Sequence, residues 1–161
     1  MRLMAGLVAA AALALSPIAH AQVSCGEMED LLDFAWDDFA DISADEIDDG
    51  YYDTDYWLDN ADECFVGIDV AALYACLWVF DTEAEASSAY DTISATFTAC
   101  LGDWDRSPSA NGDTSNNITP IRSILATGVD DLEDMEWLLS FDHHVGDGVN
   151  DWHVSLGLAY Y

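Results

Sequence analysis

The stretch MEWLLSFDHHVGDGVNDWHVSLGLAY (residues 135–160) decides the fold. Apolar and polar residues alternate along it on both sides of the segment Gly146-Asp147-Gly148. A period of two residues is typical of strands with one buried face, and the glycines favour a tight turn between two such strands. The sequence therefore predicts a β-hairpin with one face in the core and the other largely exposed to water.

Two helices are predicted upstream of this hairpin. Ser24 with Glu27, and Thr82 with Glu85, each form a capping box ahead of residues that recur at helical spacing. The apolar positions of the first helix are Met28, Leu31, Leu32, Ala35, Phe39 and Ile42. Those of the second helix are Ala86, Tyr90, Ile93, Phe97 and Leu101. Gly102 is a typical residue at which to end the second helix.

The rest of the chain divides into strands and loops. Aromatic and β-branched residues predict strands at 65–68, 73–80 and 118–129, whereas 45–62 and 106–117 have the composition of loops. Pro120 places the third of these strands at a sheet edge, or at its own start. The order of elements predicts an α+β fold, an antiparallel sheet of about four to five strands with two helices packed on one face.

The first residues of the chain predict export. Arg2, an apolar run and the sequence Ala19-His20-Ala21 match a secretory signal peptide cleaved after Ala21. A membrane anchor is the alternative, but the apolar run is short for a span. We expect residues 1–21 to be removed and residues 22–161 to form one domain, periplasmic or secreted.

Four cysteines lie in the exported part, at positions 25, 64, 76 and 100. An even number in an oxidising compartment predicts two disulfides, and no Cys-x-x-Cys spacing indicates a zinc site. If 65–68 and 73–80 form a hairpin, Cys64 lies opposite Cys76, which favours the pairs Cys64–Cys76 and Cys25–Cys100. The pairing Cys25–Cys64 with Cys76–Cys100 remains open at this point.

The charge excludes some partners. The net charge is −29, and after cleavage only Arg106 and Arg122 stand against 32 acidic residues. Two arginines among so many carboxylates cannot hold a nucleic-acid backbone or an anionic lipid surface, so we expect neither partner. The acidity fits a surface adapted to salty surroundings, which we favour, or a field that attracts cations or a basic exported protein.

Two places offer ligands for a divalent metal. If the final strands pair around the glycines, Asp142 faces His153 and His144 faces Asp151, and all four side chains share the polar face. Such a set is suited to zinc, although a shift of register would disperse it. In the acidic loop, Asp48, Asp49, Asp53 and Asp55 suggest a loose calcium site; the EF-hand pattern itself fails, because Ile47 and Tyr56 occupy ligand positions.

The same loop carries a cluster of aromatic residues, which are Tyr51, Tyr52, Tyr56 and Trp57. They suggest a binding surface, or they simply pack the loop onto the core. No nucleophile motif is present, and a carboxylate pair for hydrolysis would need a structure to identify it. We therefore expect a non-enzymatic protein that binds a partner or ligand and needs no cofactor, with a metal-binding protein or metal-dependent hydrolase at the hairpin mouth as the alternative.

Overall fold

A computed structural model of the chain describes residues 21–68, 71–108, 117–146 and 148–161. The helices are α1 (Cys25–Ala35) and α2 (Glu83–Cys100). The strands are β1 (Ser43–Asp48), β2 (Tyr51–Thr54), β3 (Glu63–Gly67), β4 (Ala72–Phe80), β5 (Asp105–Pro108), β6 (Ile118–Thr127), β7 (Met135–Gly146) and β8 (Val149–Tyr160).

All the strands form one antiparallel sheet in the order β1-β2-β3-β4-β8-β7-β6-β5. The predicted final hairpin is β7 and β8, and its twelve-residue strands pair along their whole length. Strand β4 pairs with β8 over nine positions, so the long strands β4, β8 and β7 occupy the middle of the sheet. The hairpin of β7 and β8 thus lies at the centre of the sheet.

Both helices lie on one face of this sheet. On β4 and β8 the even-numbered residues point to that face, and most are fully buried. Tyr90 and Phe97 of α2 contact Phe141 and Trp137 of β7, with ring centroids 6.0 and 6.3 Å apart. The core is therefore a single layer of apolar side chains between the helices and one side of the sheet.

Both helices start at the predicted caps: Ser24 forms a complete capping box with Glu27, and the Thr82 hydroxyl accepts a hydrogen bond from the Glu85 amide at 3.3 Å. The Ser24 hydroxyl accepts a hydrogen bond from the Glu27 amide, and the Glu27 carboxylate accepts one from the Ser24 amide at 2.6 Å. The first helix is shorter than the periodicity predicted, since it ends at Ala35. Asp38 and Phe39 take positive φ values, which turn the chain, and Phe39 still reaches the core from outside the helix.

The disulfides join Cys64 to Cys76 and Cys25 to Cys100, the pairing favoured from the sequence. Cys64 and Cys76 are directly opposite each other on β3 and β4. The second bridge joins the start of α1 to the end of α2, and so ties the two helices together. Among the residues described no cysteine is free.

The predicted strand number is too low, because the described residues form a sheet of eight strands. Strands β1 and β2 form a hairpin inside the segment interpreted as an acidic loop, and Gly50 supplies the positive φ of its turn. Strand β5 lies at the start of the second predicted loop, of which residues 109–116 lie outside the described part. Strand β6 is the predicted third strand, with a bulge between Pro120 and Arg122.

The signal-peptide prediction concerns residues of which the structure describes only Ala21. Ala21 and Val23 are buried against the core. Within the described residues, no helix is both long and apolar enough for a membrane span.

Candidate functional site

The face of the sheet opposite the helices has no helix packed on it in the described part of the chain. We call it the open face, and on the two central strands it is formed by Leu73, Ala75 and Leu77 of β4 with Ser155, Gly157 and Ala159 of β8. These residues are half-buried, whereas most of their neighbours on the helix side are buried. The packing of the described elements thus leaves the open face uncovered.

A trough of about 510 Å³ runs across the open face. Its floor is made by Ala75, Gly157 and Ala159 on the two central strands. Larger side chains rise on both sides, among them Tyr51 towards one edge of the sheet and Leu125 and Leu138 towards the other. Leu138 is 41% exposed, so an apolar side chain of the central hairpin faces water. The volume is within the usual range for ligand sites, and the lining is mostly apolar.

The trough exists because the outward positions of β8 are small. Leu156, Leu158 and Val154 fill the core side of this strand, while Ser155, Gly157 and Ala159 alternate with them on the open face. A Cβ on Gly157 would lie 3.3 Å from the Tyr74 carbonyl oxygen and 3.6 Å from the Ala75 Cβ. The missing side chain therefore allows close packing of β8 on β4 and keeps the floor low.

One carboxylate and one phenol are at the rim of the trough. The Tyr161 side chain hydrogen-bonds the Glu136 carboxylate, and its amide donates to the Asp134 carbonyl at 3.0 Å. Burial, and then the adjacent Glu136 charge, raise the pKa of Tyr161. Glu136 is thus a negative group held at the edge of an apolar surface.

A second cavity of about 640 Å³ adjoins the trough. The two share Ala71 and Tyr161, so they meet at the end of the central strands. The second cavity is lined on its other side by Asp38, Tyr52 and Ile68. Together the two cavities form a groove that runs from the open face around the end of the sheet.

The aromatic residues predicted as a binding surface are divided among three environments. Tyr51 lines the trough and Tyr52 the second cavity, because neighbouring residues of a strand point to opposite faces. Tyr56 packs edge-on against Phe34 and Tyr74, and its hydroxyl donates to the Asp30 carboxylate at 3.1 Å. Burial is the main cause that raises the pKa of Tyr56.

Trp57, the fourth aromatic residue, is 48% exposed. Its indole N–H donates to the Thr54 carbonyl at 2.8 Å, which fixes the ring against the chain that follows β2. The structure therefore places Tyr51 and Tyr52 at the groove, and gives Tyr56 and Trp57 contacts that hold the β2–β3 connection.

The hairpin mouth has the register on which the metal prediction depended. Asp142 pairs with His153 and His144 with Asp151, so the four side chains share the open face. The two imidazoles are in contact, with ring centroids 3.7 Å apart. Burial, and then the adjacent His144, lower the pKa of His153, while Asp151, Asp142 and Asp62 act in the opposite direction.

The four side chains do not converge on one point. Two neighbouring cross-strand pairs on one face form a square whose two diagonals join residues of different pairs. The twist of the strands shortens one of these diagonals and lengthens the other. Here the short diagonal joins the imidazoles, and Asp142 instead accepts a hydrogen bond from the Ser140 hydroxyl at 2.6 Å. Across the described residues, no group of three or more such side chains could hold a metal ion.

The aspartates proposed as a calcium site serve the β1–β2 hairpin. The Asp48 carboxylate accepts from the Asp49 amide, and the Asp53 carboxylate from the Thr54 amide, both at 2.8 Å. Asp53 and Asp55 flank Thr54, the only buried residue of β2. In each case the carboxylate accepts from the amide of the next residue, so these contacts are local to the backbone of the hairpin.

Comparisons with protein-family models, with curated proteins and with solved structures found no match to this chain.

The sequence does contain an indication of the trough, although it is not a motif of consecutive residues. The residues of β8 that point to the open face are small near its C-terminal end, where they are Ser155, Gly157 and Ala159. The neighbouring strands carry leucines on the same face at this end. Small outward residues on a central strand indicate a depression in the sheet surface, but only once the strand order is known.

Proposed function

We propose that this chain is an exported, non-enzymatic binding protein whose binding site is the trough on the open face. One observation carries the proposal: the two central strands present an apolar depression of about 510 Å³ that no described helix covers. Water in contact with such a surface is displaced at a gain of roughly 25 cal/mol per Å² of apolar area. An apolar group that fits the trough therefore gains free energy by displacing this water.

Export is supported by the two disulfides and by the sequence of the first residues. In an oxidising compartment the bridge between α1 and α2 fixes the helices on one face of the sheet. The bridge then keeps both described helices on the side opposite the open face. This is the property expected of a protein that binds a partner outside the cytoplasm.

A neutral solvatochromic dye such as Nile red tests the site directly, because it is apolar and unaffected by the negative charge of the protein. The variant A75F places a ring over Gly157 and fills the floor of the trough. The matched control V79F adds a ring on the same strand and face, outside the trough. We expect the dye to bind wild type and V79F alike, and A75F at least about fivefold more weakly.

Equal dye binding by A75F and V79F would contradict the proposal, as would no dye binding by the wild type. Circular dichroism and urea unfolding of each variant establish that it is folded. Because Ala75 is half-buried and lies opposite a glycine, an aromatic ring there has room above the sheet.

A further inference from the structure

We propose that the occupant of the trough is an extended segment of a basic protein, whose apolar side chains enter the trough while its cationic side chains meet Glu136 and Asp38. This inference rests on the proposed function and specifies the chemistry of the partner. It follows from three features of the groove, which are its apolar floor, its unneutralised carboxylates and its continuation past Tyr161.

The apolar floor selects the part of the partner that enters. Ala75, Gly157 and Ala159 leave a shallow depression between larger side chains rather than a deep enclosed hole. A segment in extended conformation directs alternate side chains to one side, so every second residue can contact the floor. The residues between them point away from the floor, and a long lysine or arginine side chain at such a position can bend back to the charged groups at the rim.

The carboxylates of the groove lack a cation within the described chain. The described ion pair joins Arg122 to Asp91, on the helix side of the sheet. Arg106 donates instead to the Thr98 carbonyl at the end of α2. Neither arginine lines the trough or the second cavity. A positive charge beside Glu136 must therefore come from another molecule, and the apolar floor next to Glu136 strengthens the attraction by excluding water.

The second cavity extends the site beyond the trough. It begins at Tyr161, which is 66% exposed, and is lined by Asp38 at the turn after α1. A ligand confined to the trough would meet one carboxylate, whereas a segment that continues past Tyr161 meets a second. The ring of Tyr161 also offers its face to a lysine or arginine side chain at the junction.

The overall charge distinguishes a basic segment from a second copy of the chain. Two copies with a net charge of −29 each would repel one another as they approached face to face. A basic partner is instead steered towards the surface, with an association rate that falls as salt rises. A neutral lipid would use the apolar floor and leave both carboxylates unpaired.

The probe is a synthetic ten-residue peptide of alternating lysine and valine, with a glutamate–valine peptide of the same length as control. Binding to the full exported domain is measured by fluorescence anisotropy at low and at physiological salt. The variant E136Q removes the rim charge, and E29Q removes the same charge from α1 on the opposite side. We expect E136Q to bind the lysine peptide about five- to tenfold more weakly than E29Q, and the glutamate peptide not to bind.

The outcomes separate this inference from the proposed function. If A75F abolishes dye binding but E136Q and E29Q bind the lysine peptide equally, the basic partner is wrong and the trough remains a binding site. Equal binding of the two peptides overturns the inference in the same way. If A75F changes neither dye nor peptide binding, the proposed function fails as well. Urea midpoints for E136Q and E29Q close to wild type exclude misfolding as the cause.

Discussion

Single residues determine how firmly α2 is held on the sheet, and Arg122 is the clearest case. Its guanidinium lies 4.4 Å from the centroid of the Tyr90 ring and 5.3 Å from that of Phe141. It also donates to the Asp91 carboxylate at 2.8 Å and to the Ser87 hydroxyl at 2.9 Å. The Asp91 side chain is 64% exposed, so solvent screens the ion pair and the ring contacts contribute more.

We therefore expect R122K to lower the free energy of unfolding by about 1 kcal/mol, because an ammonium cannot stack flat on the ring or donate in two directions. The variant D91N removes only the exposed charge, and it should lower the free energy of unfolding by less than about half as much as R122K does. Urea unfolding of both variants measures the difference. A larger loss in D91N than in R122K would show that the ion pair dominates.

His153 makes stability depend on pH in a defined direction. Its pKa in the folded protein is below the ordinary value, first because of burial and then because of His144. The unfolded chain therefore binds the proton more readily, so this contribution to stability is complete above about pH 6.5 and is lost as the pH falls through the lowered pKa. The carboxylates of Asp142, Asp151 and Asp62 raise the pKa of His153, and they reduce the downward shift without reversing it.

The variant H153Q should consequently show a smaller fall in urea midpoint between pH 7.5 and pH 5 than the wild type. Glutamine keeps polarity on the open face and removes the titrating group. The test compares the urea midpoints of H153Q and the wild type at pH 7.5 and pH 5, measured in the same buffers. An identical fall in the two proteins would mean that His153 contributes nothing to the acid sensitivity of the domain.

At the scale of elements, the parts of the fold that could be predicted are strands with regular alternation of apolar and polar residues and helices with a recognisable N-cap. The alternation in β7 and β8 and the capping boxes at Ser24 and Thr82 identified the main hairpin and both helix starts. Strand β1 was missed because all its residues after Ser43 are exposed, so an edge strand of this kind has no alternation to detect. The end of α1 was missed because positive φ values at Asp38 and Phe39 interrupt a pattern that remains apolar beyond it.

The site was predictable only in part for a related reason. Pairing at the hairpin mouth follows from the turn position, whereas convergence of four side chains depends on sheet twist, which a residue pattern does not contain. The trough combines residues of β3, β4, β6, β7 and β8 with Tyr51 of β2. Its position requires the strand order, and the non-sequential pairing of β4 with β8 could not be derived from local spacing.

The two disulfides should contribute unequally to stability. Cys25 and Cys100 are 75 residues apart, while Cys64 and Cys76 are 12 residues apart and already held opposite each other by strand pairing. A bridge that closes a longer loop restricts the unfolded chain more, by about 1–2 kcal/mol for this difference in the chain-entropy treatment. The double variant C25A/C100A should therefore be less stable than C64A/C76A in urea unfolding. The reverse order would show that the shorter bridge mainly fixes packing between β3 and β4.

At the scale of the whole molecule, the net charge of −29 opposes the compact state. The described part of the chain contains one ion pair that salt could weaken, between Arg122 and Asp91. Repulsion among carboxylates is screened within a Debye length of about 10 Å at 0.1 M salt. We expect the thermal midpoint to rise steadily from 10 mM to 500 mM sodium chloride. A midpoint that stays constant or falls would contradict this balance of repulsion and attraction.

The two sides of the sheet differ in their contacts and in their charge. The helix side contains the disulfide between α1 and α2, both arginine contacts and the fully buried core. The open side holds an apolar trough with unneutralised carboxylates at its rim. Stability is thus built on one side of the sheet, and the other side is available for binding.

The most direct test of this division is to observe a ligand against individual methyl groups. With leucine methyls isotopically labelled, intermolecular nuclear Overhauser effects from the bound neutral dye report which side of the sheet it contacts. Leu125 and Leu138 line the trough, while Leu139 and Leu156 of the same sheet face the helices and serve as internal controls. We predict contacts from the dye to Leu125 and Leu138 and none to Leu139 or Leu156. Contacts confined to the helix-side leucines, or contacts to none of the four, would contradict the account.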